Sequence, residues 1–383
     1  MKYFIIYCFG IATILILKIL KYFVKIKFCR VYSERIGHLT INFDNAILSV
    51  TKNTYLLCFH SSKVSNNFIL SIFKKQKNIF FNSIFKYFYN AILLVNSNSD
   101  LIISWKQYQP EFCFNLILNS KIVFPSYSDS ELDKIFSKYN VKKDFVCLHA
   151  RNNLYLEKHS ITDKNFHNFR NFNFEDYELV INFLKKKNNS IIKIGETFSE
   201  ETFKFKKKDF FTSTNFHFNE EIDYLLNAYS RYNVIGNSGI TGISSILRKK
   251  IIYVNFIPLN LPNLSYCSPS SLILPKKIFD NKKNRFLTFK ENVLINYSIH
   301  SEIDLYSKHH LTVINNSPQE ILDAVIEMEQ RLIGYNENNC AKLNDQFWKS
   351  ITINNNDEKI NYLKNELKLS ISNKFLKNNQ NLL

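Results

Sequence analysis

Three of the seven glycines in this chain fall in one short window, Gly236-Asn237-Ser238-Gly239-Ile240-Thr241-Gly242, between the apolar run Tyr232–Ile235 and a helix-like segment, Ile243–Lys249. Strand, glycine turn and helix in that order constrain the fold strongly, because the unit belongs to parallel sheets joined by helical crossovers. The same order lets backbone N–H groups converge on a phosphate at the start of the helix. The composition leans on Lys, Asn, Ile and Phe, so glycines this close together point to a backbone need.

The alternation extends in both directions from the window. Downstream of position 140, the strand Phe145–His149, the helical pattern Phe174–Lys187, the strands Ile191–Ile194 and Phe210–Ser213, the helix Glu220–Arg231 and the strand Ile251–Val254 predict a doubly wound domain. Upstream, Leu39–Phe43 reads as a buried strand and Asp44–Val50 as a short helix. Thr54–Phe59 repeats the strand, and Asn67–Lys74 and Ile84–Leu94 carry helical spacing. Pro125–Ser130 breaks the pattern, and Glu131–Lys138 reads as a connecting helix. Ser317-Pro318-Gln319-Glu320 supplies an N-cap, a proline at the first helical position and a glutamate at the third, opening a long helix to Leu332. From Ile351 the Asn- and Lys-rich tail reads as a loose amphipathic helix on Ile360, Leu363 and Leu367, or as disordered.

At 383 residues and 45% apolar content, the chain can bury two domain cores. The expected organisation is a membrane-contacting segment 1–30, an N-terminal Rossmann-like domain 31–140, a C-terminal Rossmann-like domain 141–335 and a tail 336–383. Tyr3 to Leu17 is apolar apart from Thr13 and is followed by Lys18, Lys21, Lys25, Lys27 and Arg30, the pattern of an anchor helix, with an interfacial helix as the alternative. The basic flank lies downstream, so the positive-inside rule keeps the rest of the chain on the cytoplasmic side of the membrane.

A net charge of +17 suits an anionic partner. Without a zinc spacing, a helix-turn-helix pattern or an aromatic-basic signature, nucleic acid is not the expected one, and an anionic membrane surface is. Runs such as Lys185-Lys186-Lys187 and Lys206-Lys207-Lys208 fit solvated helix ends and loops. The seven cysteines are odd in number, widely spaced and mostly set in apolar stretches, as reduced core residues are.

Lysine dominates the basic residues, so each arginine points to a need for a planar, bidentate cation. Arg151 follows the strand Phe145–His149, at the carboxyl edge where open α/β sheets bind ligands, and its fork suits a diphosphate or an ordinary surface ion pair. Arg170 lies in His167-Asn168-Phe169-Arg170-Asn171, before the next helix, within reach of the same edge. Gly236, Asn237, Ser238, Gly239 and Thr241 form the second binding element: backbone N–H groups, the Ser238 and Thr241 hydroxyls and a helix dipole. A glycine turn between strand and helix is also common packing punctuation, and the window is neither a Walker P-loop nor a GxGxxG fingerprint. His149 reads as structural. Glu196 is either a ribose contact or a solvated carboxylate.

His149-Ala150-Arg151, Tyr155, Phe169-Arg170-Asn171, Ile194-Gly195, Ile235-Gly236-Asn237-Ser238-Gly239 and the N-terminal Arg35-Ile36-Gly37-His38-Leu39 together resemble a family of bacterial glycosyltransferases from surface-polysaccharide gene clusters. The resemblance runs from about Arg35 to Leu332. More distantly, the His-x-Arg element is similar to that of fucosyltransferase-type enzymes. The resemblance implies an α/β fold of the GT-B type, two facing Rossmann-like domains with parallel sheets, here behind the N-terminal anchor helix. It implies transfer of a sugar from a nucleotide-sugar donor to a lipid-linked or surface glycan acceptor in lipopolysaccharide or capsule assembly, by an inverting course. A non-catalytic nucleotide-sugar or glycan-binding protein is the alternative. In such a transferase the departing diphosphate needs fixed donors, a role that falls to Arg151 and the window. A general base, His38 or Asp44, takes the acceptor proton, although Asp44 also fits an N-cap. No DxD motif is present: Glu221-Ile222-Asp223 and Glu302-Ile303-Asp304 read as helical or loop charges. Metal-independent catalysis with no cofactor is therefore expected.

Overall fold

The computed structural model describes residues 2–104, 118, 122–153, 167–195, 211–212, 220–298, 305–335, 341–352 and 357–383. Cys113, Tyr155, Glu196, Lys206-Lys207-Lys208, Glu302-Ile303-Asp304 and Cys340 lie outside the described residues. The chain divides into two compact units, Met1–Tyr127 and Ser128–Leu383.

In the first unit, helix α1 (Lys2–Leu20) leads into strand β1 (Lys25–Val31), helix α2 (Phe43–Leu48), strand β2 (Thr54–His60), helix α3 (Asn67–Lys74), strand β3 (Ile79–Phe81) and helix α4 (Phe85–Val95). The strands form a parallel sheet in the order β1-β2-β3, with Cys29 opposite Cys58. Lys25–Val31, which carries part of the basic flank of the anchor, is also a strand of the sheet. Its Lys25, Lys27 and Arg30 are exposed or half-buried, while Phe28, Cys29 and Val31 enter the core. Leu39–Phe43, read as a strand, is instead a π-helical turn (His38–Asn42) running into α2. Leu39, Phe43 and Ile47 are all buried, and that four-residue spacing is a helix face. Asp44 consequently sits inside α2, whose N-cap is Asn42.

The second unit opens with helix α5 (Asp129–Ser137), started by a Ser128/Glu131 capping box. Strand β4 (Phe145–His149), helix α6 (Glu178–Lys186), β5 (Ser190–Lys193), β6 (Phe211–Thr212), α7 (Glu221–Tyr229), β7 (Asn233–Gly236), α8 (Thr241–Ile246), β8 (Ile251–Phe256) and β9 (Leu272–Pro275) follow. A small antiparallel sheet, β10 (Lys277–Asp280), β11 (Arg285–Phe286) and β12 (Leu311–Ile314), precedes helix α9 (Pro318–Leu332). The capping box expected at α9 is present, with the Ser317 hydroxyl accepting from the Glu320 N–H and the Glu320 carboxylate accepting from the Ser317 N–H.

The main sheet is parallel, in the order β13-β9-β8-β7-β4-β5-β6. Its seventh strand, β13 (Ser370–Ile371), and helix α10 (Asn373–Asn378) come from the tail. The described part of that tail is thus built into the domain, with Ile371, Phe375 and Leu376 buried. Strands covered on both faces read as continuous apolar runs, as β4 and β8 do. Val180, Ile181 and Leu184 of α6 and Ile321, Val325 and Met328 of α9 belong to the core cluster on this sheet, each burial contributing about 1.5–3 kcal/mol.

Candidate functional site

The chain order explains where a ligand fits. From β4 the sheet grows through β5 to β6, then returns to the other side of β4 and continues through β7 and β8 to β9. The reversal falls between β4 and β7, and doubly wound sheets leave a crevice there, beyond the carboxyl ends of the strands. His149 pairs with Ile235. Arg151 and Asn237 each follow that pair by two residues, so the two sequence elements leave adjacent strands at the same edge.

Arg151 is buried and turned onto the loop that follows. Its Nη1 donates to the His167 carbonyl at 3.0 Å and to Asn171 Oδ1. A second cation grips the same loop from β9: Lys276 Nζ donates to the carbonyls of Phe169 (2.8 Å) and Asn171 (3.0 Å). Sequence reasoning missed Lys276. The chain is so rich in lysine that only its place after Leu272–Pro275 sets it apart, and its burial is visible only in the fold. Burial pushes its ammonium down to about 7, and Arg151 adds to the shift while Asp176 opposes it. Lys193, the last residue of β5, is buried too, with Nζ 5.4 Å from the centroid of the Phe174 ring.

Arg170 lies among aromatic rings. Its guanidinium lies over the Phe169 ring at 5.6 Å, near Tyr266 and Tyr306, and burial lowers its pKa to about 10. Its Nε–H is enclosed and donates to no partner among the described residues. His149 is structural, as expected. Its Nδ1 stands 3.0 Å from the Ile194 carbonyl, and burial holds the ring neutral with a pKa of about 4.

Among the described glycines only Gly195 and Gly334 have positive φ, so left-handed backbone is not the reason for Gly236, Gly239 or Gly242. At Gly236 the need is clearance for the Phe172 ring. Asn237 donates to the Ile257 carbonyl at 3.3 Å, tying the window to the end of β8. Thr241 turns its hydroxyl back to the Ser238 carbonyl, and its own N–H reaches the same oxygen at 3.3 Å. The Ser238 Oγ is enclosed without a partner among the described residues.

In the first unit, His38 follows β1 and meets the Tyr32 ring edge-on at 6.4 Å. Burial, and then Arg35, lowers its pKa, so the ring is neutral at neutral pH. Asp44 is 5% exposed. The described cysteines are free thiols, with Cys29, Cys58, Cys147 and Cys267 buried. Among the described residues no cluster of three His, Cys, Asp or Glu side chains is arranged to hold a metal ion.

No protein family and no curated protein sequence matches the chain. Among solved structures it is similar to a family 9 glycosyl transferase from Veillonella parvula, with 8% identity, coverage of 80% of this chain and 98% of that one, and a TM-score of 0.47. It is similar also to the Escherichia coli ADP-heptose lipopolysaccharide heptosyltransferase II, with 9% identity, coverage of 80% and 100%, and a TM-score of 0.47. A third is the iron-containing dodecameric glycosyltransferase TibC of enterotoxigenic E. coli, with 12% identity, coverage of 65% and 63%, and a TM-score of 0.40. Likenesses this distant leave the functional reading to the chain's own residues.

Proposed function

We propose that this chain is a GT-B glycosyltransferase that moves a sugar from a nucleotide-sugar donor to a lipopolysaccharide or capsule glycan at the cytoplasmic face of the inner membrane. The observation that carries the reading is the pair of buried cations Arg151 and Lys276, which meet on Asn171 at the carboxyl edge of the main sheet, beside its switch point. Buried cations repel one another and cost solvation, and a bound diphosphate relieves both terms. The motif resemblance supplies the reaction. As the glycosidic bond breaks, negative charge builds on the leaving diphosphate, and fixed cations there lower the barrier. Arg151 contributes its charge and also holds the Asn168–Phe172 loop over the edge.

Of the two candidate bases, His38 fits better. It is half-buried and neutral, able to take the acceptor proton, whereas Asp44 is enclosed in α2. The reaction is proposed to be inverting and, lacking a DxD motif, independent of metal.

A thermal-shift panel of ADP, GDP, UDP and CDP and their sugars, on the intact chain in detergent, tests the donor site. Truncating before Val31 is unsuitable because it deletes β1. One diphosphate at hundredfold excess over its Kd is expected to raise the Tm by roughly 5 °C or more, and Arg151→Ala to abolish the shift. A flat panel, or an Arg151→Ala variant that binds equally well, refutes the site. Binding without turnover of the donor identifies a binding protein instead.

A further inference from the structure

The length and composition of α1 allow it to cross a bilayer: Tyr3–Leu20 has a mean hydropathy of 2.3, and a helix of this length extends about 28 Å against a hydrocarbon core of about 30 Å. The structure gives the helix a second attachment. Ile6, Gly10, Thr13, Ile14 and Leu17 turn inward at helical spacing, while Phe4, Ile11, Leu15 and Ile19 on the outer side are exposed. The inner face lies on α4. Gly10 comes so close that a Cβ there would stand 2.4 Å from the Ala91 carbonyl oxygen, and the Phe9 and Phe88 rings are 5.1 Å apart. Ile14 and Leu17 pack on the cluster of Phe28, Phe59 and Ile92, and thus join the core beneath β1 and β2. The Thr13 hydroxyl donates to the Phe9 carbonyl at 2.8 Å, so the inner face carries a satisfied polar group.

We propose that α1 stays docked on α4 and lies in the plane of an anionic leaflet, seating the first unit on the membrane without spanning it. Spanning would strip α1 from α4 and expose Phe88 and Ile92, and only Lys21–Val24 separate the helix from β1. Docked, the helix presents its outer apolar face to acyl chains, and α4 exposes Tyr87, Leu93 and Leu94 as well. Charge complementarity selects the lipid. Before Glu34 the sequence carries Lys2, Lys18, Lys21, Lys25, Lys27 and Arg30 and no acidic residue, so phosphatidylglycerol-type headgroups fit this end of the chain. The inference rests on the membrane reading above and is independent of the donor site, which the nucleotide panel tests in detergent.

The test places a tryptophan at Phe4, Ile11 or Ile19, one at a time, in the full chain bound to vesicles of phosphatidylcholine and phosphatidylglycerol. The vesicles carry bromine either near the headgroups or near the chain ends, and quenching is read above the wild-type level. An in-plane helix gives a similar shallow depth for Phe4→Trp, Ile11→Trp and Ile19→Trp, which share its outer side. A deep Ile11→Trp between two shallow ends means a spanning helix and overturns the proposal, as does no added quenching at any position. Co-sedimentation with phosphatidylcholine alone should be weaker by roughly tenfold or more; equal binding overturns the anionic preference.

Discussion

The ring of Phe172 stands where a Cβ on Gly236 would be: a methyl group there would lie 2.4 Å from Phe172 Cε1. Phe172 in turn donates its N–H to the Arg151 carbonyl at 3.2 Å, so this contact couples the end of β7 to the loop that Arg151 and Lys276 hold. Gly236→Ala is expected to displace the ring, cost about 1–3 kcal/mol of stability and weaken diphosphate binding at the same time. Thermal melts with and without nucleotide check it, and an unchanged Tm contradicts the packing account.

Lys276 should report on the ligand through its proton. Its folded pKa of about 7 lies well below the ordinary lysine value, and an anion beside it restores the charged form. Above pH 7, diphosphate binding is expected to take up a proton. Titration calorimetry at pH 8 in two buffers of different ionisation heat measures that uptake, and Lys276→Met should abolish it. Without ligand the sign is also set. Between about pH 7 and 10 the unfolded chain binds more protons at this site than the folded one, so this contribution to stability rises with pH across that window.

His149 sets an acid limit. Its folded pKa of about 4 lies below the unfolded value of 6.5. Between those pH values the unfolded state binds the extra proton, so stability is lost as pH falls from 6.5 towards 4, by at most about 3 kcal/mol. His149→Gln should flatten that part of the pH profile. An unaltered slope in denaturant titrations at pH 4.5 and 6.5 assigns the loss to other groups.

The role assigned to His38 separates binding from turnover. His38→Gln is expected to leave the nucleotide-induced Tm shift intact and to lower kcat by roughly 10²–10⁴-fold. Asp44→Asn should instead act mainly on stability, because the carboxyl is enclosed in α2. Steady-state transfer assays beside melts distinguish the two, and a His38→Gln enzyme with normal kcat removes His38 as the base.

Strong local signals were legible along the chain. Phe145–His149 is a strand and Asn67–Lys74 a helix over the expected residues, and Ser317/Glu320 caps α9. Leu39–Phe43 misled because Leu39, Ile41 and Phe43 also satisfy a two-residue period, and only the burial of Ile47 four residues beyond Phe43 shows the helix. β1 was hidden because a lysine after an apolar helix looks the same whether it flanks a membrane or edges a strand. At the site, Arg151 and the window were visible through rarity: arginine and glycine stand out in a lysine-rich, glycine-poor chain.

The residue order alone determined the alternating parallel architecture, the apolar amino-terminal helix with its basic flank, and the two elements that end β4 and β7, since each depends on periodicity or composition within a short stretch. Only the tertiary structure decided that Lys276 reaches the Phe169 carbonyl from 107 positions away, that Gly236 makes room for Phe172, and that Gly10 presses α1 onto α4. Such contacts arise from strand order and chain closure over long separations, and local patterning carries no record of which distant side chain will arrive.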